Sequence, residues 1–457
     1  MGKPTRHAMP AADAAWLHMD RATNPMVVNG LISLAGTPTV EAVAEVLRER
    51  LVARFPRFRQ RVVDRLGRAP AFEEDPFFDL ADHLHRRVLP PPGDQPALEE
   101  LVSDLITPPL DPGKPLWHAY LIENYDGGAA MLWRIHHCIA DGIALAQVML
   151  STTDGPAAAA GALVAAPAEE RSTTRRLAAA AGTGAAAART LAGAAVHETA
   201  ATLAHPRHLT ELAAGALRDV STAAKLVASP ADPPTALRRP LAGSRRVAWS
   251  RPFPLRRVKD CCHRRRVTVN DLLLHALAAT LAEQLPGNGE RPREIHAMVP
   301  VNLRPPARPV PAELGNDFAL ILLELPVGEL PTAERLRRVA SNMESIKDSH
   351  EAPISFGLLN AMGLSPPWVE ERLIGFFTDK ASMVVTNVPG PRERLGFAGA
   401  PIRGVLVWAP CSGSLGMTVS IFSYAGEVTV GFMVDTALLA DPAPLARAYE
   451  AQLAELC

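Results

Sequence analysis

The sequence predicts an α/β protein: two mixed-sheet units flanked by helices and joined by an Ala-rich helical connector. Three observations predict it. The chain has 457 residues, and at about 100 to 200 residues per domain that length implies two domains or more. Strand-like and helix-like apolar periods are mixed in one stretch before residue 155 and again in another after residue 240. Between them, from Pro156 to Pro240, the composition shifts to tracts such as AAAAGALVAAPAEE. Alanine favours helix yet brings almost no apolar area, so this segment reads as a connector rather than a core. Its end, SPADPPTALRRPLAGSRR, is Pro-rich and reads as extended or loop. Arg175, Arg176 and Arg189 punctuate it, but without Trp or Phe anchors it is a poor membrane-binding helix.

In the first unit, Val40 to Val63 places apolar residues at three and four spacing up to Pro56, the pattern of an amphipathic helix followed by an extended segment. Two alternating apolar runs follow, Leu116 to Ile122 and Ala129 to Ile135. Asn124-Tyr125-Asp126-Gly127-Gly128 between them is turn chemistry, so the pair predicts a hairpin ending at His136 and His137. Ile143 to Leu150 then reads as a helix. In the second unit, VTVNDLLLHALAATLAEQL opens on Thr268 and Asn270 as helix caps. It continues apolar on all sides, which requires burial. Strands are expected at Glu294 to Val301, Phe318 to Leu325 and Ser382 to Asn387. Val405 to Trp408, Gly416 to Ser423 and Glu427 to Val434 read as a terminal meander or hairpin.

Composition removes several functions. Lys plus Arg number 47 against 48 Asp plus Glu, a formal net charge of −1, which argues against a nucleic-acid partner held by bulk charge. With 48% hydrophobic and 21% charged residues the chain is neither collagen-like nor disordered. Aromatic residues are only 5%, so the core must rest on Leu, Val, Ile and Ala. Cys138, Cys261, Cys262, Cys411 and Cys457 form an odd, sparse set without a C-x-x-C pair. A disulfide scaffold is therefore not expected and a reducing compartment is. The N-terminus shows no signal peptide, Arg6 breaks the myristoylation pattern, and no long apolar run predicts a membrane span.

The chemistry concentrates in His136-His137-Cys138-Ile139-Ala140-Asp141-Gly142. A histidine in the turn after a strand can present its imidazole to a cleft, and an ordinary pKa near 6.5 suits it to general-base work. Successive strand side chains point to opposite faces, so one histidine serves the cleft and the other packs. Asp141 has two physical readings, an orienter of the imidazole or an ion-pair partner that braces the loop. No metal is expected: the histidines are adjacent and no third ligand stands at a recognisable spacing.

This string matches HHxxxDG in full and resembles the signature of the chloramphenicol-acetyltransferase-like acyltransferases, which include condensation domains. Further strings resemble the bacterial wax ester synthase/diacylglycerol acyltransferases in particular. They are Pro115-Leu116-Trp117, the TVND start at Asn270 and Asp271, Val299 to Arg304 with Gly315-Asn316, and Thr386-Asn387-Val388-Pro389-Gly390-Pro391. They occur in family order over residues 13–434, nearly the whole chain. One departure is Met26-Val27-Val28-Asn29-Gly30, which lacks the histidine common in the family's Met-His-Val-Gly string.

The resemblance implies two chloramphenicol-acetyltransferase-like domains, over 1–155 and 241–457, with the connector over 156–240. It implies transfer of a fatty acyl group from acyl-CoA to the hydroxyl of diacylglycerol or a long-chain alcohol, with no acyl-enzyme, no metal and no cofactor besides CoA as the co-substrate's carrier. His137 would be the base, His136 structural, Asp141 a brace for the loop through an arginine, and Gly142 part of the motif's turn. Pro115, Leu116, Trp117, Asn270, Asp271, Thr386 and Asn387 would bind substrate or hold structure. Asn270-Asp271 reads on its own as an N-cap pair, Trp117 as core, and Pro389-Gly390-Pro391 as a rigid loop crossing between the units. Arg245 and Arg246 are candidate substrate contacts, and Ile354 to Leu364 a candidate tunnel lining. The location implied is cytoplasmic, peripheral at the inner membrane face or on lipid inclusions. Two rivals are a condensation-type enzyme fed by a carrier protein and a non-catalytic lipid-binding scaffold. No oligomeric state is implied.

Overall fold

The computed structural model describes residues 6–65, 68–155, 230–285, 292–302, 314–316, 318–347 and 367–457. The alanine tracts of the expected connector, Leu303-Arg304 and Ile354 to Leu364 lie outside the described residues.

The chain begins with β1 (Arg6–Ala8), α1 (Ala11–His18), β2 (Val27–Leu34) and α2 (Val40–Val46). Thr39 caps α2 by accepting from Ala42 N–H (3.2 Å). The helix widens over Leu47–Val52 and gives way at Pro56, as the spacing predicts, to β3 (Gln60–Arg65). After β4 (Arg68–Glu74), β5 (Leu84–Val88) and α3 (Gln95–Ile106) come β6 (Trp117–Tyr125), β7 (Gly128–His136) and α4 (Gly142–Ser151). The expected hairpin is β6–β7, and its turn uses left-handed backbone at Asn124, Asp126 and Gly127, residue types that tolerate positive φ.

The second part holds β8 (Arg245–Trp249), β9 (Phe253–Pro254), α5 (Leu255–Arg265), α6 (Val269–Gln284), β10 (Ile295–Asn302), β11 (Phe318–Leu325) and α7 (Thr332–Lys347). It ends with α8 (Pro367–Thr378), β12 (Met383–Pro389), β13 (Gly396–Phe397), β14 (Ala400–Trp408), β15 (Met417–Tyr424), β16 (Glu427–Asp435) and α9 (Ala443–Leu456). Asp271 to Leu281 of α6 are buried, as an all-round apolar helix must be. Its cap corrects the sequence reading. Thr268, not Asn270, is the N-cap, and it forms a reciprocal box with Asp271 (3.1 and 2.9 Å), which frees Asn270 for another partner.

Three sheets form. The small one is β1-β4-β3; the others are ordered β13-β14-β2-β7-β6-β5 and β11-β10-β12-β15-β16-β8, with β9 beside β16. The order corrects the expected terminal meander: β14, which contains Val405 to Trp408, pairs with β2 in the first sheet, and only β15 and β16 form the closing hairpin. Alternation along a strand reports that it is a strand, not which strand it pairs with. The chain crosses at Pro389-Gly390-Pro391. There Gly390 N–H donates to Ser423 O (2.7 Å), and a Cβ on Gly390 would come within 2.3 Å of that oxygen. Only glycine permits this approach.

Each large sheet serves two interiors. Along β7, Met131, Trp133 and Ile135 pack in the core that contains α1 and α4, while Ala130 and Leu132 face a core shared with Val247, Trp249, Trp408 and Met433. Along the second sheet Ala297, Val385, Val419 and Ile421 pack with α6 and α9. The alternate residues Met298, Pro300, Val384, Thr386 and Phe422 face a cavity between the two sheets. Among the described residues no helix is long and apolar enough to cross a membrane.

Candidate active site

The HHxxxDG string lies where β7 ends. His136 N–H donates to Leu116 O (3.0 Å) and His137 N–H to Met26 O (2.7 Å), so the ends of β6 and β2 hold the two histidines from either side. The chain then turns and enters α4 with Asp141 as its N-cap, Oδ1 accepting from Ala144 N–H (2.8 Å). Arg57 Nη1 donates to Ile139 O (2.6 Å) and Cys138 O (3.3 Å) inside the turn. Its charge is met by Asp13 on α1 (2.8 Å), a fully buried carboxylate.

Through Asn316, Asp13 also holds the His137 backbone. Its Oδ1 accepts from Asn316 N–H (3.0 Å) and Nδ2 (2.8 Å), and Asn316 Nδ2 donates in turn to His137 O (2.9 Å). One helical turn on from Asp13, Trp16 stacks on the His137 ring with centroids 4.2 Å apart. Phe318 stands 5.5 Å from the same ring. Burial pushes the His137 imidazole down, to about 3, so the ring is neutral at physiological pH. His136 is held differently: Cys138 N–H donates to its Nδ1 (3.1 Å), which places the ring proton on Nε2, 3.7 Å from the Asp20 carboxylate.

His137 opens into a narrow cavity of about 90 Å³. The first sheet's side contributes Trp16, Val28, Asp141 and Gly142; the second sheet contributes mainly apolar side chains together with Thr386 and Asn387. A Cβ on Gly142 would meet no protein atom within 4 Å, so glycine leaves this stretch of wall clear.

Of the sequence-predicted residues, the fold therefore brings His137, Asp141, Gly142, Thr386 and Asn387 together at one cavity. Asn270 stands behind them, its Oδ1 accepting from Asn387 Nδ2 (2.8 Å), which links the two motifs. Pro115, Leu116 and Trp117 are not at the cavity. Trp117 is fully buried, donates from Nε1 to Phe58 O (2.7 Å) and stacks on His83, while Leu116 supplies the carbonyl that holds His136. Arg245 is buried with Nη2 donating to Asn24 Oδ1, and Arg246 lies 3.8 Å from Asp104; neither lines the cavity. Sequence reasoning missed Asp13, Trp16 and Arg57. The available signal was an aspartate in an Ala-rich helix with tryptophan three residues on, ADAAW, a face too polar for a plain core stripe.

Comparison with known proteins finds relatives over nearly the whole chain. A family model for the wax ester synthase/diacylglycerol acyltransferase catalytic domain matches residues 9–273, and one for the C-terminal domain of the same proteins matches residues 314–457. A probable diacylglycerol O-acyltransferase of Mycobacterium tuberculosis, tgs1, is 30% identical over 442 residues, covering 94% of this chain and 91% of the relative. The wax ester synthase/diacylglycerol acyltransferase from Marinobacter aquaeolei has the same fold, with a TM-score of 0.67 at 22% identity over 98% of both chains. The first condensation domain of the CDA synthetase has it too, with a TM-score of 0.58 at 15% identity over 99% of this chain and 95% of that one.

Proposed function

The chain belongs to the wax ester synthase/diacylglycerol acyltransferase family and is an acyltransferase, and on that premise we propose that it moves a fatty acyl group from acyl-CoA to the hydroxyl of diacylglycerol or a long-chain alcohol. The observation that carries this reading is a neutral imidazole at the end of a strand, opening into a narrow apolar cavity between two sheets. His137 Nε2 takes the proton of the acceptor hydroxyl as its oxygen attacks the thioester carbonyl. The C–S bond then breaks, CoA leaves as thiolate, and the imidazolium returns the proton to sulfur. No acyl-enzyme forms, and CoA brings the acyl group already activated, so no further cofactor is required. An apolar wall suits both acceptors, because each presents a hydroxyl beside long hydrocarbon.

Asp141 does not relay charge in this scheme; it fixes the start of α4, and Arg57 braces the turn. Substrates of this kind reside in membranes or lipid inclusions, so peripheral contact with a lipid surface belongs to the same proposal. The test incubates purified protein with palmitoyl-CoA and either dioleoylglycerol or hexadecanol and reads thiol release and ester formation. His137→Ala should abolish both; a variant that keeps more than a few per cent of activity removes His137 as the base. Thiol release with neither acceptor, from folded protein, favours a scaffold or a carrier-fed condensation enzyme instead.

A further inference from the structure

The cavity holds a hydroxyl with no structural use. Thr386 on β12 is buried and lines the cavity, yet among the described residues its Oγ1 has no hydrogen-bond partner. Its in-register neighbour on β15 is Ser420, fully buried, whose Oγ also lacks a partner. In-register residues on adjacent strands share a face and stand about 4.8 Å apart. Val384 and Val388 flank Thr386 on this face and Phe422 lies beyond Ser420; the remaining hydroxyl of the face, on Thr418, donates to Ala409 O (3.0 Å), so it has the partner that Thr386 and Ser420 lack. Valine would fill the Thr386 site without stranding a polar atom, and an unbonded buried hydroxyl lowers stability. Its presence therefore calls for a partner that arrives with the substrate.

Acyl transfer supplies one. When the acceptor oxygen bonds to the thioester carbon, the carbonyl π pair moves onto the carbonyl oxygen, and that oxyanion must be met inside an apolar cavity. We propose that Thr386 Oγ1–H is the donor that meets it, with the Ser420 hydroxyl behind it on the same face. His137 directly follows β7 of the first sheet and Thr386 lies within β12 of the second, so base and donor reach the reacting carbon from different walls. On collapse the pair returns to the carbonyl, the C–S bond breaks, and the proton carried by His137 passes to the thiolate. This inference rests on the reading of His137 as the base of acyl transfer from a thioester.

The test compares Thr386→Val and Thr386→Ser with the parent in thiol release from palmitoyl-CoA, using both acceptors. Thr386→Val should lower kcat by about 10² to 10³, the usual effect of removing one oxyanion donor, with KM for palmitoyl-CoA within about threefold. Its melting temperature should hold or rise, and Thr386→Ser should recover most of the rate. In parallel, ¹³C=O-labelled palmitoyl-CoA is bound to His137→Ala, which leaves the thioester intact, and its carbonyl infrared band is recorded with and without Thr386→Val. Loss of the hydroxyl should move the band to higher wavenumber. A folded Thr386→Val enzyme with unchanged kcat and an unmoved band overturns the proposal and points to the α4 N-terminus as the donor. If the parent releases no thiol with either acceptor but the band still moves, the Thr386 contact stands and the choice of acceptors fails.

Discussion

His137 combines two properties that pull in different directions. Burial holds its pKa down, to about 3, which keeps the lone pair available at any physiological pH but makes the free base weak. The acid limb of kcat/KM should therefore lie well below pH 6, not at the ordinary histidine value; a limb near 6.5 would show a solvated ring. The same shift bears on stability. The unfolded chain takes up this proton near pH 6.5 and the folded one only near 3, so between those values the unfolded state binds more protons and stability falls as pH falls. The slope should approach about 1.4 kcal/mol per pH unit. Denaturant titrations of the parent and His137→Gln at pH 7, 6 and 5 isolate the effect, because the variant lacks it. Asp141 belongs to another class of residue. As an N-cap it should cost about 1 kcal/mol when replaced by alanine, whereas asparagine, itself a good cap, should keep most of the stability. Melting curves of the two variants decide this. Both residues were legible because the motif is one local string; Asp141's use as a cap was not, since spacing alone does not say where a helix begins.

Helix α1 is the element that holds the histidine in place. It is short, and a single face carries Asp13 and Trp16, so its packing both clamps the backbone around His137 and covers the ring. Arg57→Leu would leave the Asp13 carboxylate buried without its countercharge. A loss of about 3–5 kcal/mol is expected, partly recovered when Asp13→Asn is added, and a double-mutant cycle by chemical denaturation measures both. Trp16→Ala should leave the sheets intact but lower kcat by about tenfold, as an unstacked ring samples more orientations; a kcat within twofold would limit Trp16 to packing. None of this was visible in the sequence, because Asp13 and Asn316 are 303 residues apart and only folding makes them neighbours. Strand and helix periods, by contrast, were plain: β6–β7, the buried α6 and β11 stand almost where the apolar pattern puts them.

On the scale of the whole molecule, β14 ties the two parts together. A fragment over 1–155 lacks the strand that covers one edge of β2, and the core around Trp408, Trp249 and Leu132 is drawn from both parts. Separately expressed fragments 1–155 and 241–457 should each aggregate or remain unfolded by circular dichroism, while co-expression should rescue both; a cooperatively folded 1–155 fragment would contradict this dependence. His118 and His275, both pushed to about 4 mainly by burial, add to the acid lability set by His137. The sequence by itself determined the α/β class, the helix and strand periods, the motif string and the family, because each of these is written in residues close together or in a fixed order along the chain. Tertiary structure alone decided that β14 belongs to the first sheet, that Asn270 bonds Asn387 while Thr268 caps, and that Thr386 faces His137's cavity with a hydroxyl unbonded among the described residues. These are pairings between distant segments, and a period of two along a strand specifies a face without specifying what that face meets.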